Sequence, residues 1–182
     1  MSFDEILNEQ RKVIYQRRME LLNSADFVEV VLKMASEVVS DIVDGAGKGG
    51  KELGKTSELI PQFFPPLSGV ITEASLRNVK GGRNGLVDFL SLAAREAVEA
   101  KMASQEGGRE AFERKSKYLS LVTLDGAWSD HLTNMESLVE SVTLRGYRGL
   151  DPKIEYQQDG FDMFKNLEGT IRRNAIYSLM NQ

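Results

Sequence analysis

The chain has 182 residues, of which 41% are hydrophobic and 27% are charged, a balance typical of a globular protein with one domain or two small ones. Its formal net charge of −4 does not favour binding to nucleic acid or to an anionic membrane surface, because both attract basic surfaces. The absence of cysteine excludes disulfides, thiolate chemistry and cysteine-ligated zinc.

The first predicted element is an amphipathic helix near the N-terminus. Ser2 and Glu5 form a capping-box pattern just where the apolar positions begin. The acidic start lacks the basic and apolar regions of a secretory signal, and no apolar run approaches the roughly 20 residues that span a bilayer. We therefore expect a chain that is resident in its compartment, mature, or cut from a longer one. The apolar positions of this helix are Phe3, Ile6, Leu7, Ile14, Leu21 and Leu22, opposite the charged Glu9, Arg11, Lys12, Arg17 and Arg18.

A second helix is predicted to begin at Asp26, an N-cap residue with Glu29 three positions later, and to end at Gly45. Residues 45–56 carry five glycines and three lysines, and we expect them to form a mobile loop. The apolar residues at helical spacing in the second helix are Phe27, Val30, Val31, Met34, Val38 and Ile42.

Prolines and glycines limit the helices predicted in the middle of the chain. Pro61, Pro65 and Pro66 exclude a long helix between residues 57 and 67. The glycine-rich run at residues 81–85 predicts another break, and Gly107 and Gly108 end the helix that follows it. That third helix is predicted from Leu86, Phe89, Leu90, Ala93, Ala94 and Ala97.

The last third has the clearest pattern. From about Glu110, apolar residues recur in steps of three and four, which predicts one helix on the order of 50 Å long. Residues 144–150 interrupt it with two glycines, and Asp151 then caps a new helix with Pro152 in its first turn. Two long helices joined by a short loop should pack as an antiparallel hairpin, so the fold class is all-α. The stripe residues are Leu121, Leu124, Trp128, Leu132, Met135, Leu138 and Val142, then Ile154, Phe161, Phe164, Leu167, Ile171, Ala175 and Leu179.

The hairpin also carries specific motifs, which occur in order between residues 128 and 164. They resemble the finger of the SecA family, the protein-export motor, whose pattern includes W-x-x-H-L-x-x-M, L-R-G-Y, D-P and E-Y-x-x-x-G-F-x-x-F. Residues 3–15 are similar to the Y-D-x-V-x-N-x-Q-R-x-x-I-Y segment of the family's scaffold helix. The chain departs from the pattern at Glu136 (usually Asp), Val139 (usually Arg), Ser141 (usually Gly) and Gly149 (usually Gln).

The resemblance implies a scaffold helix at residues 1–24, a helical wing at residues 25–108 and a two-helix finger with a scaffold return at residues 109–182. It implies a translocation module without ATPase domains, which by itself is neither an enzyme nor a binder of cofactor, metal or nucleic acid. Its partners would be a preprotein and a SecYE-type channel, or the SecA motor domains if the chain is part of a longer one. Its location would be the bacterial cytoplasm or plastid stroma, peripheral at the membrane.

By its position in the family pattern, the contact with polypeptide or channel would be made by Arg145, Gly146, Tyr147 and Arg148. An exposed tyrosine offers area, a flat face and one hydrogen-bonding group, which suits contact with varied sequences. The alternative is that Tyr147 packs against the turn and the arginines are only solvated. Trp128, Phe161 and Phe164 are predicted to lie in the hairpin core. His131, on the same helix face as Trp128, is predicted to make a structural hydrogen bond rather than to catalyse.

Two other functions remain open. The chain could be a stand-alone adaptor that uses the hairpin to dock in another complex, which the altered finger residues favour. It could instead be a small nucleotide-binding protein, because Gly49, Gly54, Lys55 and Thr56 satisfy the G-x-x-x-x-G-K-T phosphate-loop pattern. A phosphate loop follows a buried strand, whereas residues 27–43 are predicted to be helical, so a lysine- and glycine-rich wing loop is the simpler interpretation.

Overall fold

The computed structural model describes residues 2–46 and 52–182, and over these ranges its regular structure is entirely helical, which confirms the all-α prediction. None of the helices in the described ranges combines the length and the hydropathy that crossing a membrane requires. The α-helices are α1 (Phe3–Asn23), α2 (Phe27–Gly45), α3 (Leu53–Phe63), α4 (Glu73–Arg77), α5 (Gly82–Ser104), α6 (Gly108–Gly146) and α7 (Pro152–Met180), with a 3-10 turn at Pro65–Leu67.

The capping residues that the sequence predicts are in place. The Ser2 hydroxyl accepts a hydrogen bond from the Glu5 backbone N–H at 3.2 Å, and the Glu5 carboxylate accepts one from the Ser2 backbone N–H at 2.7 Å. The Asp26 carboxylate accepts from the Glu29 N–H at 3.2 Å, and Asp151 accepts from the Lys153 N–H at 2.9 Å. Each cap satisfies a backbone donor that the helix itself leaves unpaired.

The chain divides into two compact units. Unit 1 contains Met1–Ser24 and Ser120–Ile171, and unit 2 contains Ala25–Leu119 and Arg172–Gln182. Helices α6 and α7 therefore supply residues to both units. The division into scaffold helix, wing and finger that the resemblance implies stays a prediction.

In unit 1, helix α1 packs against the hairpin formed by α6 and α7. Contacts between the two long helices pair Arg145 with Glu155 near the turn, and His131 with Phe164 further from it. Positions later in α6 thus meet positions earlier in α7, which confirms the predicted antiparallel hairpin. The buried cluster between the three helices consists of Ile6, Met135, Leu138, Val142 and Tyr156, with Phe3, Leu7, Val139 and Met163 packed against it.

In unit 2, helices α2 and α5 pack against each other. Arg83 on α5 donates to both carboxylate oxygens of Asp44 on α2, at 2.6 and 2.8 Å, and holds the pKa of that carboxyl below its usual value. The Arg172 guanidinium lies 3.2 Å from Asp41 of α2. Fully buried side chains of this unit include Phe27, Val31, Val38, Ile60, Phe64 and Leu90.

The predicted mobile loop at residues 45–56 is wrong at its C-terminal end, because residues 53–56 form the first turn of α3. Residues 47–51 of that loop lie outside the described residues. Pro61 also lies inside α3, two residues before the last residue of the helix. Proline has no N–H to donate, so it removes one backbone hydrogen bond close to the C-terminal end of α3. The glycine-rich break is shorter than predicted: Gly81 has a left-handed φ of 97°, and α5 begins at Gly82.

Candidate functional site

The hairpin turn, residues 147–151, joins α6 to α7. The backbone N–H groups of Tyr147, Arg148 and Gly149 donate to carbonyls three residues earlier, at 3.3, 2.9 and 3.0 Å, so the last turn of α6 tightens before it stops. Gly149 then adopts a left-handed φ of 85°, which a residue with a side chain would adopt only at a cost. The turn is therefore a closed, hydrogen-bonded structure.

Tyr147 projects from this turn with 87% of its surface exposed within the described structure. Arg148 beside it is also exposed, whereas Gly146 is half-buried. Three further large apolar side chains near the turn face solvent: Leu144 at 66%, Leu150 at 47% and Ile154 at 53% exposed. The turn thus presents apolar area with one aromatic ring and a cation.

Arg145 differs from its neighbours because its guanidinium is occupied within the hairpin. It donates to Asp159 at 2.8 Å, to Glu155 at 3.0 Å and to the Ser141 hydroxyl at 3.3 Å. The hydrogen bonds that Arg145 donates to Asp159 and, to a lesser extent, to Glu155 raise the pKa of Arg145 above its usual value. Arg145 therefore holds the end of α6 to α7, and Tyr147 and Arg148 are the predicted contact residues whose side chains reach solvent from the turn.

The residues that depart from the family pattern have local roles. Val139 packs against the buried cluster of unit 1, where the usual arginine would bring a charge. Ser141 accepts a hydrogen bond from Arg145, which the usual glycine could not do. Gly149 occupies the left-handed position in the hairpin turn. These substitutions are consistent with a well-formed turn whose surface differs from that of the family pattern.

A buried polar contact joins the three helices of unit 1. The Gln10 side chain on α1 donates from Nε2 to the backbone carbonyl of Gly160 on α7 at 3.0 Å, and its Oε1 lies 2.8 Å from Nε2 of His131 on α6. Because a carbonyl only accepts, the amide nitrogen must face Gly160 and the amide oxygen must face the imidazole. His131 therefore carries its proton on Nε2 and donates it to Gln10. We call Gln10, His131 and Gly160 the Gln10 bridge.

His131 is 4% exposed, and its ring centroid lies 5.4 Å from that of Trp128 and 5.8 Å from that of Phe164. The predicted hydrogen bond of His131 is present, and Trp128 lies in the core as predicted. Phe164 is half-buried. The core prediction is wrong for Phe161, which is 66% exposed on the outer face of α7. Ile154, a residue of the predicted apolar stripe, is exposed on the same face.

Burial lowers the pKa of His131 below its usual value of 6.5. The unfolded chain therefore binds more protons than the folded one just below pH 6.5, and the free energy of unfolding should fall as the pH is lowered through that range. Urea unfolding measured at steps between pH 8 and pH 5 should show this loss. In His131→Gln, which cannot titrate, the same pH series should fall less steeply; equal slopes would contradict the assignment.

The structure describes only the C-terminal part of the phosphate-loop pattern, residues 52–56. Gly49 lies outside the described residues, whereas Gly54, Lys55 and Thr56 belong to α3. Thr56 is fully buried and its hydroxyl lies 3.5 Å from the Glu52 carbonyl, while Lys55 Nζ lies 3.5 Å from the Gly45 carbonyl. The described element before them is helix α2, not a strand. Among the described residues, no group of three metal-ligating side chains is close enough to hold an ion.

Sequence reasoning missed the partners that hold the candidate site together, namely Gln10, Glu155 and Asp159. A signal for Gln10 was available: it lies four residues after Ile6 and four before Ile14, and so falls on the apolar face of α1. A polar residue at such a position needs buried hydrogen-bond partners. The two carboxylates lie four residues apart on α7, on one helix face, but nothing in the sequence indicated that this face meets Arg145.

Unit 1 is a helical module in which α1 packs against a long antiparallel hairpin, and sequence comparison gives the family of the chain. The family described as SecA Wing and Scaffold domain matches residues 1–182. The protein translocase subunit SecA of Trichodesmium erythraeum is 33% identical over 188 residues, covering 98% of this chain and 19% of the relative. That of Burkholderia thailandensis is 31% identical over 189 residues, covering 100% of this chain and 20% of the relative.

The chain therefore belongs to the SecA wing and scaffold family, and is similar to one region of protein translocase subunits. It spans about a fifth of the length of the curated relatives it matches.

Proposed function

We propose that this chain is a SecA-like translocation module whose hairpin turn contacts a preprotein chain or a SecYE-type channel. The observation that supports this best is the exposure of Tyr147, at 87%, on a turn that is itself well anchored. A side chain with no packing role in its own unit, held out by a rigid hairpin, is suited to binding something else. Family membership supports the class of activity.

The chemistry of the turn fits a partner of varied sequence. A tyrosine ring contributes contact area with few torsions to immobilise, and its hydroxyl can bond any peptide group. Leu144 and Leu150 add apolar area, and Arg148 adds a cation that can donate to peptide carbonyls. None of these groups requires a particular side chain on the partner.

The wider setting is part of the same proposal. The chain would act at the membrane surface of a bacterial cytoplasm or plastid stroma, beside the channel rather than within the bilayer. ATP hydrolysis would be supplied by motor domains, either elsewhere in a longer chain or in a partner, and the module itself would not be an enzyme. Its task would be to hold the hairpin turn in position while the polypeptide moves.

The alternative is an adaptor that uses the same hairpin to dock in another complex. The observation that favours it is the set of departures from the family pattern close to the turn, at Val139, Ser141 and Gly149. These change the surface of the hairpin while the local structure accommodates them. Such a hairpin could keep its shape and bind a different partner.

A photo-crosslinking amino acid in place of Tyr147 tests the proposal. The chain is incubated with membranes containing the channel and with an unfolded exported polypeptide, and crosslinks from position 147 to either are the expected result. The same group in place of Tyr118, which is 66% exposed on α6 in unit 2, is the matched control. Crosslinks from position 147 to an unrelated complex alone would support the adaptor and overturn the translocation proposal.

Replacing Tyr147 with alanine should weaken binding without affecting the fold. Its side chain makes little contact in its own unit, so the free energy of unfolding should change by less than about 0.5 kcal/mol. The dissociation constant for a fluorescent unfolded polypeptide should rise about tenfold, as for loss of an aromatic anchor. Anisotropy titrations give this value. Tyr118→Ala should bind like the parent, and an equal loss in both variants would contradict a specific role for the turn.

A further inference from the structure

The Gln10 bridge places one side-chain amide at the meeting point of three helices. Gln10 is 7% exposed, and its two polar atoms each have a partner on a different helix of the hairpin, at 3.0 Å on α7 and 2.8 Å on α6. Such an amide is satisfied only when all three helices are in register. A shift of α1 along the hairpin would leave buried donors and acceptors unpaired.

Gly160, whose carbonyl accepts the hydrogen bond from Gln10, also lies close to the end of Met135. A Cβ at this position would lie 2.9 Å from the Cε of Met135 and 3.9 Å from the Nε2 of Gln10. A methyl group here would press on the flexible end of Met135 and would meet Gln10 only at an ordinary van der Waals distance. An ionised glutamate could accept from His131 but could not donate to the carbonyl, and an apolar side chain could do neither.

The other contacts between α1 and the hairpin constrain the alignment of α1 along the hairpin less than the Gln10 bridge does. Toward the hairpin turn they are apolar, such as the Phe3 and Tyr156 rings with centroids 4.5 Å apart. Away from it they include the half-exposed pair of Arg18 and Asp125, at 2.9 Å, which water and salt screen. Apolar burial is non-directional, so it favours association without fixing one alignment.

We propose that Gln10 is a positioning residue: through His131 and Gly160 it fixes the register of α1 against the hairpin and thereby the direction in which the hairpin presents Tyr147. Helix α6 extends roughly 22 Å from His131 to its end at 1.5 Å per residue, so a tilt of about 10° at the bridge would move the turn by roughly 4 Å. Such a displacement exceeds the tolerance of a contact between a side chain and a bound chain. The last step, from position to binding, rests on the proposed function.

Distance measurements between spin labels test the positioning directly. The chain has no cysteine, so Lys12→Cys on α1 and Thr143→Cys near the turn, both exposed, give a uniquely labelled pair. The parent should give one narrow distance distribution by pulsed electron paramagnetic resonance. Gln10→Met, of similar length but without either hydrogen bond, should broaden it or shift it by several ångströms. Gln16→Met is the matched control, because Gln16 is an exposed glutamine of the same helix, and should leave the distribution unchanged.

Circular dichroism shows whether each variant is folded. If Gln10→Met does not fold, Gln10→Asn, which keeps the amide but is too short to reach both partners, is measured in its place and should broaden the distribution. A folded Gln10 variant with the narrow distribution of the parent would overturn the proposal.

Binding of unfolded polypeptide separates this inference from the proposed function. The Gln10 variants should weaken binding about threefold or more, through displacement of the turn. A broadened distance distribution with unchanged polypeptide binding would support the positioning role of Gln10. It would contradict the idea that the position of the turn determines polypeptide binding. Loss of binding in Tyr147→Ala together with parental distances in the Gln10 variants would leave the proposed function standing and overturn the positioning role.

Discussion

Replacing Tyr156 with alanine is expected to lower the free energy of unfolding by about 3–5 kcal/mol, the range typical of truncating a buried aromatic side chain. Tyr156 is 2% exposed and packs in the buried cluster of unit 1, with its ring 4.5 Å from that of Phe3. Alanine would remove this contact between α7 and α1 and leave a cavity where the two helices meet. Urea unfolding monitored by circular dichroism gives the change.

The control for Tyr156→Ala is Tyr15→Ala, in which the tyrosine is 56% exposed on α1 and should change the stability by less than about 0.5 kcal/mol. Near-equal changes in the free energy of unfolding for the two variants would mean that the buried cluster does not stabilise unit 1. Burial, with a smaller contribution from Asp4, raises the pKa of Tyr156, so its hydroxyl is neutral at physiological pH and no charge complicates the comparison.

The sequence predicts most of the helices because their signals are local. Ser2, Asp26 and Asp151 are capping residues that bond to backbone within three positions, so their role can be read without knowing the fold. Apolar residues in steps of three and four predict that α6 is a helix with one buried face, and the glycines within residues 144–150 predict the turn that follows it.

The predictions from sequence are wrong where the structure of a segment depends on contacts with residues distant in sequence. Residues 53–56 end a stretch, residues 45–56, that is rich in glycine and lysine, yet they are helical and Thr56 is fully buried, so packing outweighs composition. In the sequence Phe161 continues the apolar stripe of α7, but the helix has more large apolar residues than its buried face accommodates, and this one faces solvent. Periodicity alone does not decide which of two neighbouring stripes is buried.

The candidate site shows the same limit. The motifs predict that Tyr147 lies at the turn, which needs only the two helix ends. They do not predict that Arg145 is engaged by Glu155 and Asp159, because this depends on how the two helices face each other. The Gln10 bridge, whose partners are 121 and 150 residues away in sequence, needs the tertiary structure altogether.

Two glycine-to-alanine substitutions should have opposite effects. Gly85 lies in the first turn of α5, where a Cβ would overlap the backbone carbonyl of Lys80 and lie 2.8 Å from its carbon atom. Backbone cannot move aside as a flexible side chain can, so Gly85→Ala should destabilise the chain by about 1–3 kcal/mol or more, as overpacking does. Gly126 lies within α6, is exposed, and has open space around a Cβ. Gly126→Ala should therefore stabilise the chain by about 0.5–1 kcal/mol, the helix preference of alanine over glycine.

The pair isolates the steric contact because the chemical change is identical. If intrinsic helix preference decided both cases, each alanine would raise the midpoint of urea unfolding. If the contact with Lys80 decides the first, the two midpoints move in opposite directions from that of the parent. A midpoint for Gly85→Ala at or above the parental value would mean that the Lys80 carbonyl yields to the methyl group at little cost. The turn before α5 would then be adaptable, and Gly85 would owe its place to something other than close packing.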